Sequence, residues 1–302
     1  MRCKFCGRDA DIYIPYPRMH LCKEHFIVYF ERKIERTINR YKMFSKEDKI
    51  LIAIGGGKDS AVASYILKRF GYTIEGLFLD LGIGGFSEKS RRYAEKQCKD
   101  VDIPIHRVEI RKLFNRGINE VKSSRPTCAI CGATKRYIFN KFAYDNDFNV
   151  LVTGHNLDDE SSFVLSNLIN WNIEYLGRQG PILPGTGKFI RKVKPLYEVT
   201  EVEIKEYADV IGIEYISERC PLSKGEKIPR YKHVLNELEK MSSGVKINFI
   251  KGFLRNRHLF KFDLGKSSIL KECKVCGMPS QGEVCVFCRI WGLDKPVELK
   301  VS

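Results

Sequence analysis

Eleven cysteines stand in this chain, and their spacing sorts them by chemistry. Near the start, Cys3-x2-Cys6 is followed after fifteen residues by Cys22-x2-His25. Near the end, Cys273-x2-Cys276 is followed after eight residues by Cys285-x2-Cys288. Two x2 knuckles place four ligands around one tetrahedral ion, and such a closed set suits a structural Zn2+. Iron also accepts thiolates, but sulfur-rich tetrahedral ligation in a small knuckle favours zinc. Between these groups lie Cys128-Ala129-Ile130-Cys131 and, far along the chain, Cys220 in Glu218-Arg219-Cys220-Pro221. Three thiolates suit an iron–sulfur cluster with one iron left open, or a redox pair with a third, nucleophilic cysteine. His155 is a candidate fourth ligand if the site holds zinc instead. Cys98 has no partner pattern and reads as ordinary packing.

A second chemistry is phosphate binding. Gly55-Gly56-Gly57-Lys58-Asp59-Ser60 follows the apolar run Ile50–Ile54. Glycines let backbone N–H groups approach an anion, a following helix N-terminus adds partial positive charge, and Lys58 adds a full one. Ser60 can donate a hydroxyl. The Walker pattern fails, because Asp59 follows the lysine and residue 52 is isoleucine. Gly154-His155-Asn156-Leu157-Asp158-Asp159-Glu160 follows a second apolar run, Val150-Leu151-Val152-Thr153. Carboxylates placed there can hold Mg2+ against nucleotide phosphates. The plainer alternative is an acidic helix start that suits the macrodipole.

The elements that must position these groups alternate. Strands are expected at 50–54, 74–79, 105–110 and 150–153, and helices at 26–44, 58–70, 87–99, 131–145, from about 157 to 170, and 200–211. The glycine- and proline-rich stretch 177–195 reads as a loop. Strands alternating with helices imply βαβ units, so the fold class is α/β with a doubly wound parallel sheet. Ligands in such sheets bind beyond the strand carboxyl ends, so Gly55–Ser60, Asp80 and Gly154–Asp159 should face one crevice. The organisation expected is an N-terminal zinc knuckle with its linking helix (1–45), a catalytic domain (46–265) and a C-terminal zinc ribbon (266–302).

Composition narrows the partners. The chain has 302 residues, 52 Lys+Arg against 37 Asp+Glu, and a net charge of +15. With 43% hydrophobic residues, wholesale disorder is excluded. No run of eighteen apolar residues exists, and the first residues form no apolar secretory stretch, so no membrane partner is expected. Cysteines grouped as metal ligands rather than disulfides point to a cytoplasmic location. The positive charge favours a polyanion. Residues 221–262 carry ten Lys/Arg and three Asp/Glu. There Phe249, Phe253, Phe260 and His258 are interleaved with Lys251, Arg255 and Arg257. They read equally as an RNA clamp or as a basic helix whose aromatics are core.

Taken jointly, these motifs resemble the PP-loop ATP pyrophosphatases, whose signature S-G-G-x-D-S follows the first strand. They look most like the tRNA-thiolating branch, the TtcA/TtuA-type tRNA 2-thiouridine synthetases. The likeness covers nearly the whole chain: both end knuckles, Gly56-Gly57-Lys58-Asp59-Ser60, Cys128-x2-Cys131-Gly132, Gly154-His155-Asn156-x-Asp158-Asp159 and Cys220-Pro221. The resemblance implies an ATP-dependent tRNA sulfurtransferase that adenylates the C2 oxygen of a uridine. It implies ATP at Ala53, Gly55, Gly56, Gly57, Lys58, Asp59, Ser60, Asp80, Lys135, Gly154 and Asp159, with Mg2+. It implies catalytic roles for Asp59, Lys135 and Asp159, and a [4Fe–4S] cluster on Cys128, Cys131 and Cys220. A cluster-free alternative cycles Cys128 and Cys131 through a disulfide, with a persulfide on Cys220. The partners implied are tRNA and a sulfur donor, either sulfide or a ubiquitin-like thiocarboxylate. A homodimer fits the family, although no residue argues for it. One departure stands out: the family's leading serine is Gly55 here. The loss of that hydroxyl is expected to weaken ATP binding or slow turnover by about 1.5–3 kcal/mol. A degenerate nucleotide site in a zinc-containing tRNA-binding protein is the corresponding non-enzymatic reading.

Overall fold

The structure is a computed structural model that describes residues 1–223, 227–260 and 270–299. The expected boundary at 265–266, and Lys224, Glu226, Lys261 and Phe262 of the basic segment, lie outside the described residues. The chain opens with a hairpin, β1 (Ile12–Ile14) and β2 (Met19–Leu21), and the helix α1 (Lys23–Tyr41). Then follow β3 (Ile50–Ile54), α2 (Lys58–Arg69), β4 (Ile74–Asp80), α3 (Gly84–Asp100), β5 (Ile105–Glu109), α4 (Ile110–Phe114) and α5 (Thr127–Asp145). Next come β6 (Val150–Val152), α6 (Leu157–Ile169), α7 (Ile173–Arg178), β7 (Ile182–Leu183), β8 (Arg191–Val193) and α8 (Glu201–Ile211). The last elements are α9 (Ile228–Met241), α10 (Val245–Asn256), β9 (Lys271–Glu272), β10 (Pro279–Ser280) and α11 (Val286–Trp291).

Among the described residues, six strands form the central sheet in the order β5-β4-β3-β6-β8-β7. All neighbours are parallel except β7, which runs antiparallel on β8 at the edge. The strand order reverses at β3, so the crevice opens beyond the carboxyl ends of β3 and β6. Alternation splits the apolar strands between two cores. Ile50, Ile52 and Ile54 pack with Phe30, Ile34, Val62, Ile66 and Tyr207 from α1, α2 and α8. Leu51, Leu77 and Leu151 pack on the opposite face with Ile130, Ile138 and Phe142 of α5.

Each end of the chain joins one of these cores. The N-terminal hairpin contributes Ile12, Ile14, Met19 and Leu21 to the α1 side. The C-terminal knuckle packs on α5: Phe287 stacks on Tyr137 with ring centroids 3.7 Å apart, and the Trp291 indole donates to Thr134 Oγ1 at 3.1 Å. Cys98 is buried beside Gly76, where a Cβ would meet its sulfur at 3.0 Å; burial alone pushes its thiol up to about 12. That is the packing role expected of it.

The stretch 177–195 is not simply a loop. It contains β7 and β8, and β8 extends the parallel sheet beyond β6. Two of the three β8 residues are cationic, which hides the apolar signature of an interior strand. In the basic segment, Phe253 is buried and Phe249 and Phe260 pack beside it against Leu157, Leu176 and Tyr197. Those aromatics are core, while Arg255 and His258 remain exposed. Among the described residues no helix is long and apolar enough to cross a membrane.

Candidate functional site

The glycine loop leaves β3 and becomes the N-terminus of α2, with Gly57 as its cap. Gly56 is held at φ +76, and a Cβ there would meet Ser90 O at 2.5 Å. No other residue fits that position. Its carbonyl accepts hydrogen bonds from Ile216 N–H at 2.9 Å and from the Gln97 amide at 2.9 Å. The loop is therefore clamped between α3 and the chain after α8. Ser60 Oγ accepts from Gly55 N–H at 3.3 Å and donates to Gly57 O at 3.2 Å, which closes the turn.

The acidic turn after β6 stands beside it. Asn156 caps α6: its side-chain oxygen accepts from Asp159 N–H, and Asp159 Oδ2 accepts from Asn156 N–H, a reciprocal box. Its amide also donates to Asp59 Oδ1 at 3.1 Å. A Cβ at Gly154 would meet Ser60 N at 2.9 Å, so the two turns are in contact. Burial pushes the Asp59 carboxyl up, Lys58 opposes, and Asp159 adds to the rise. A carboxylate pair of this kind gains from a cation between its members.

Two residues outside the sequence expectation complete the crevice. Lys58 Nζ donates to Glu201 Oε1 at 2.8 Å, and Lys232 Nζ donates to Glu201 Oε2 at 3.0 Å and to Asp159 Oδ1 at 2.8 Å. Burial alone would raise Glu201, but Lys58 and Lys232 bring it down to about 2. Lys232, despite burial, is held above its ordinary value by Asp159 and Glu201. Glu201 had a readable signal, since Thr200-x-x-Glu203 is a capping box that places it at a helix start on the carboxyl edge of the sheet. Lys232 had none beyond general basicity.

Adjacent acids have separate partners. Asp158 is buried, accepting from Lys246 Nζ and, at 2.7 Å, from Glu201 N–H. Glu160 is buried on Lys194 at 2.7 Å. Only Asp159 of the three reaches the crevice. His155 is half-buried and bonded through Nδ1 to Thr153 Oγ1 at 3.0 Å. Burial first, then Lys194, Lys192, Lys135 and Lys232, lower its pKa to about 3, so it is neutral. Asp80 accepts from Gly82 N–H at 2.8 Å in the turn after β4, and Ala53 lies near the end of β3.

The two end groups of cysteines assemble as expected. Cys3, Cys6, Cys22 and His25 bring four ligand atoms within 4.8 Å of one another, as do Cys273, Cys276, Cys285 and Cys288. Cys6 and Cys22 sulfurs are 3.9 Å apart, and Cys276 and Cys285 sulfurs 3.8 Å. A metal tetrahedron with arms of about 2.3 Å has edges of about 3.8 Å. These residues could each hold a metal ion. Cys128 and Cys131 start α5, with Lys135 one turn on. Cys128 Sγ donates to Leu222 O at 3.5 Å, which brings the Cys220–Leu222 turn onto it. All three thiols are half-buried.

The chain is similar to known proteins along its whole length. The PP-loop domain family matches residues 28–224, and the family described as 2-thiouridine synthetase TtuA, N-terminal LIM domain, matches residues 2–27. The tRNA-5-methyluridine(54) 2-sulfurtransferase of Pyrococcus horikoshii is 56% identical over 302 residues, covering 100% of this chain and 97% of that one. The protein of the same name from Thermotoga maritima is 41% identical over 295 residues, covering 96% of each. Among solved structures, the U34-tRNA thiolase NcsA from Methanococcus maripaludis with its [4Fe–4S] cluster superposes with a TM-score of 0.84 at 27% identity, covering 99% of each chain.

Proposed function

This chain belongs to the PP-loop tRNA 2-sulfurtransferases, and from that premise we propose that it thiolates C2 of the uridine at position 54 of tRNA. The observation that carries the reading is the meeting of the Gly55–Ser60 loop with the Asn156–Asp159 turn at the switch point of the sheet. Position 54 is favoured because the relatives at 56% and 41% identity bear it in their names, against 27% for the position-34 enzyme.

ATP would lie with its phosphates on the Gly55–Ser60 backbone and Lys58. Asp59 and Asp159, tied through Asn156, fit a Mg2+ ion facing those phosphates. Lys135 would approach the nucleotide from α5. The uracil C2 oxygen attacks the α-phosphate and pyrophosphate departs, its charge met by backbone N–H groups and Lys58. Sulfur then replaces the C2 oxygen, which leaves on AMP. Three half-buried thiols fit a [4Fe–4S] cluster, which when bound would supply sulfur in nucleophilic form. Cys128, Cys131 and Cys220 would hold it. The cluster reading is favoured over the disulfide cycle by the cluster in the structural neighbour. Sulfur would arrive as sulfide or as the thiocarboxylate of a ubiquitin-like protein. The two end groups would hold structural Zn2+, and tRNA would meet the basic surface with marked salt dependence.

The test is nucleoside mass spectrometry of tRNA after anaerobic incubation of the reconstituted enzyme with ATP, Mg2+ and sulfide. A 2-thio-5-methyluridine confined to position 54 is expected. Absence of thiouridine with the cluster spectroscopically intact overturns the reading.

A further inference from the structure

We propose that Arg136 and Lys192 form a binding site for a small, singly charged sulfur anion on its way to the three-cysteine edge. This rests on the thiolation reading above. The first observation is register. Lys192 pairs with Leu151 across β6 and β8, and Leu151 faces the α5 core. Paired residues of a parallel sheet share a face, so Lys192 projects towards α5.

The second observation is the path of Arg136. Helical side chains lean towards the helix N-terminus, and a Cβ at Gly132 would meet Arg136 Nη1 at 3.2 Å. The guanidinium therefore crosses the residue that directly follows Cys131. Arg136 and Lys192 are near enough for each charge to act on the other.

The third observation is pairing. Lys58, Lys194 and Lys232 each have a carboxylate. Among the described residues, neither Arg136 nor Lys192 has a hydrogen-bond or ion-pair partner. Burial, with Lys194 and Arg136 nearby, brings the half-buried Lys192 ammonium down to about 8. Glu160, already bonded to Lys194, opposes that fall only in part, so two cations without a bonded carboxylate gain from an anion.

The anion is small because Lys192 lies between sheet and helix. Nucleotide phosphates have their own cradle at Gly55–Ser60. Hydrosulfide and a thiocarboxylate end share the required chemistry, one negative charge on sulfur. Arg136 at the exposed mouth would meet it first, and Lys192 would hold it beside Cys131.

Thiocyanate is the probe, because its nitrile stretch shifts on binding and needs no cluster. Cluster-free protein should show a saturable shifted band. Lys192→Met should lose it, and Arg136→Gln should weaken it about tenfold, with partial rescue in Arg136→Lys. In the reconstituted enzyme, both variants should raise KM for sulfur about tenfold while KM for ATP stays within about twofold. Parallel arms with sodium sulfide and a thiocarboxylate-ended peptide show which source uses the site. Lys192→Met should melt no lower than the parent, since an unpaired cation has gone. No saturable band in the parent, or a rise in KM for ATP alone, overturns the proposal. A normal band in a parent that thiolates no tRNA instead overturns the functional reading and removes the sulfur role of the site with it.

Discussion

The Asn156 amide donates to Asp59 Oδ1 across 3.1 Å and so joins the turn after β6 to the loop after β3. The same side chain caps α6 through Asp159 N–H. Asn156→Ala removes both bonds at once. A lost cap and a lost hydrogen bond together cost about 1–2 kcal/mol, a drop of a few degrees in Tm. Asp59 and Asp159 are then free to drift apart, and KM for ATP should rise more than the stability loss would suggest. Calorimetry and ATP titration on the same preparation check this. An unchanged KM would mean the link is structural only.

Gly55 and Gly56 differ in what they tolerate. A Cβ at Gly55 meets nothing within 4 Å, and its φ is not in the left-handed region. Gly55→Ser should fold normally and, by restoring a hydroxyl donor, lower KM for ATP about tenfold. Gly56→Ser combines φ +76 with a 2.5 Å clash on Ser90 O, and should lose soluble expression or ATP binding. Measuring both variants side by side separates the effect of the donor from the effect of loop shape.

His155 sets a pH dependence. Its pKa falls from 6.5 to about 3 on folding, because burial and then the surrounding lysines disfavour the charged ring. Between pH 3 and 6.5 the unfolded chain holds a proton that the folded one does not, so stability rises with pH in that window. The stabilisation is fully present above 6.5 and is lost as pH falls towards 3. His155→Gln should flatten the slope of unfolding free energy across that window, read by urea denaturation at successive pH values. An unchanged slope would place the ring in water.

Much of this was legible in the sequence, and the exceptions share a cause. The strands β3 and β6, and the Leu77–Leu79 run of β4, show as apolar runs because both faces of a parallel sheet are buried, whereas β5 lies at the edge and carries His106, Arg107 and Glu109. The knuckles show as spacing. By contrast, β8 is three residues long, and two of the three are cationic. Lys232 and Glu201 enter the site through tertiary placement, the one from α9 and the other from α8. The resemblance singled out Asp159, but residue type and position alone do not divide it from Asp158, since they are adjacent and chemically identical. Their partners tell them apart: Lys246 and Glu201 N–H hold Asp158, and Lys232 meets Asp159.

The C-terminal knuckle should affect the distant thiols. Its Phe287 and Trp291 pack on Tyr137 and on Thr134 of α5, the helix that begins with Cys128 and Cys131. Cys273→Ser opens one corner of that group. If each end group holds one Zn2+, bound zinc should fall from about two to about one per chain, and the iron taken up on reconstitution should fall with it. Metal analysis with the visible absorption of the cluster reads both. Full iron uptake in a one-zinc protein would show that α5 holds its shape without the knuckle.

The neighbouring acids give the sharpest contrast. Asp158 spends both oxygens inside the fold, on Lys246 and on the start of α8. Asp158→Asn leaves the buried Lys246 ammonium without a counter-charge, which costs about 3–5 kcal/mol. Its Tm should drop steeply, and whatever folds should bind ATP nearly as the parent does. Asp159 is more exposed, and its partner Lys232 keeps Glu201. Asp159→Asn should therefore melt within about 1 kcal/mol of the parent. If its carboxylate holds the Mg2+ that faces the phosphates, turnover should fall about a hundredfold or more. Reversal of the two phenotypes, with Asp159→Asn unfolding and Asp158→Asn inactive but stable, would move the metal from one carboxylate to the other.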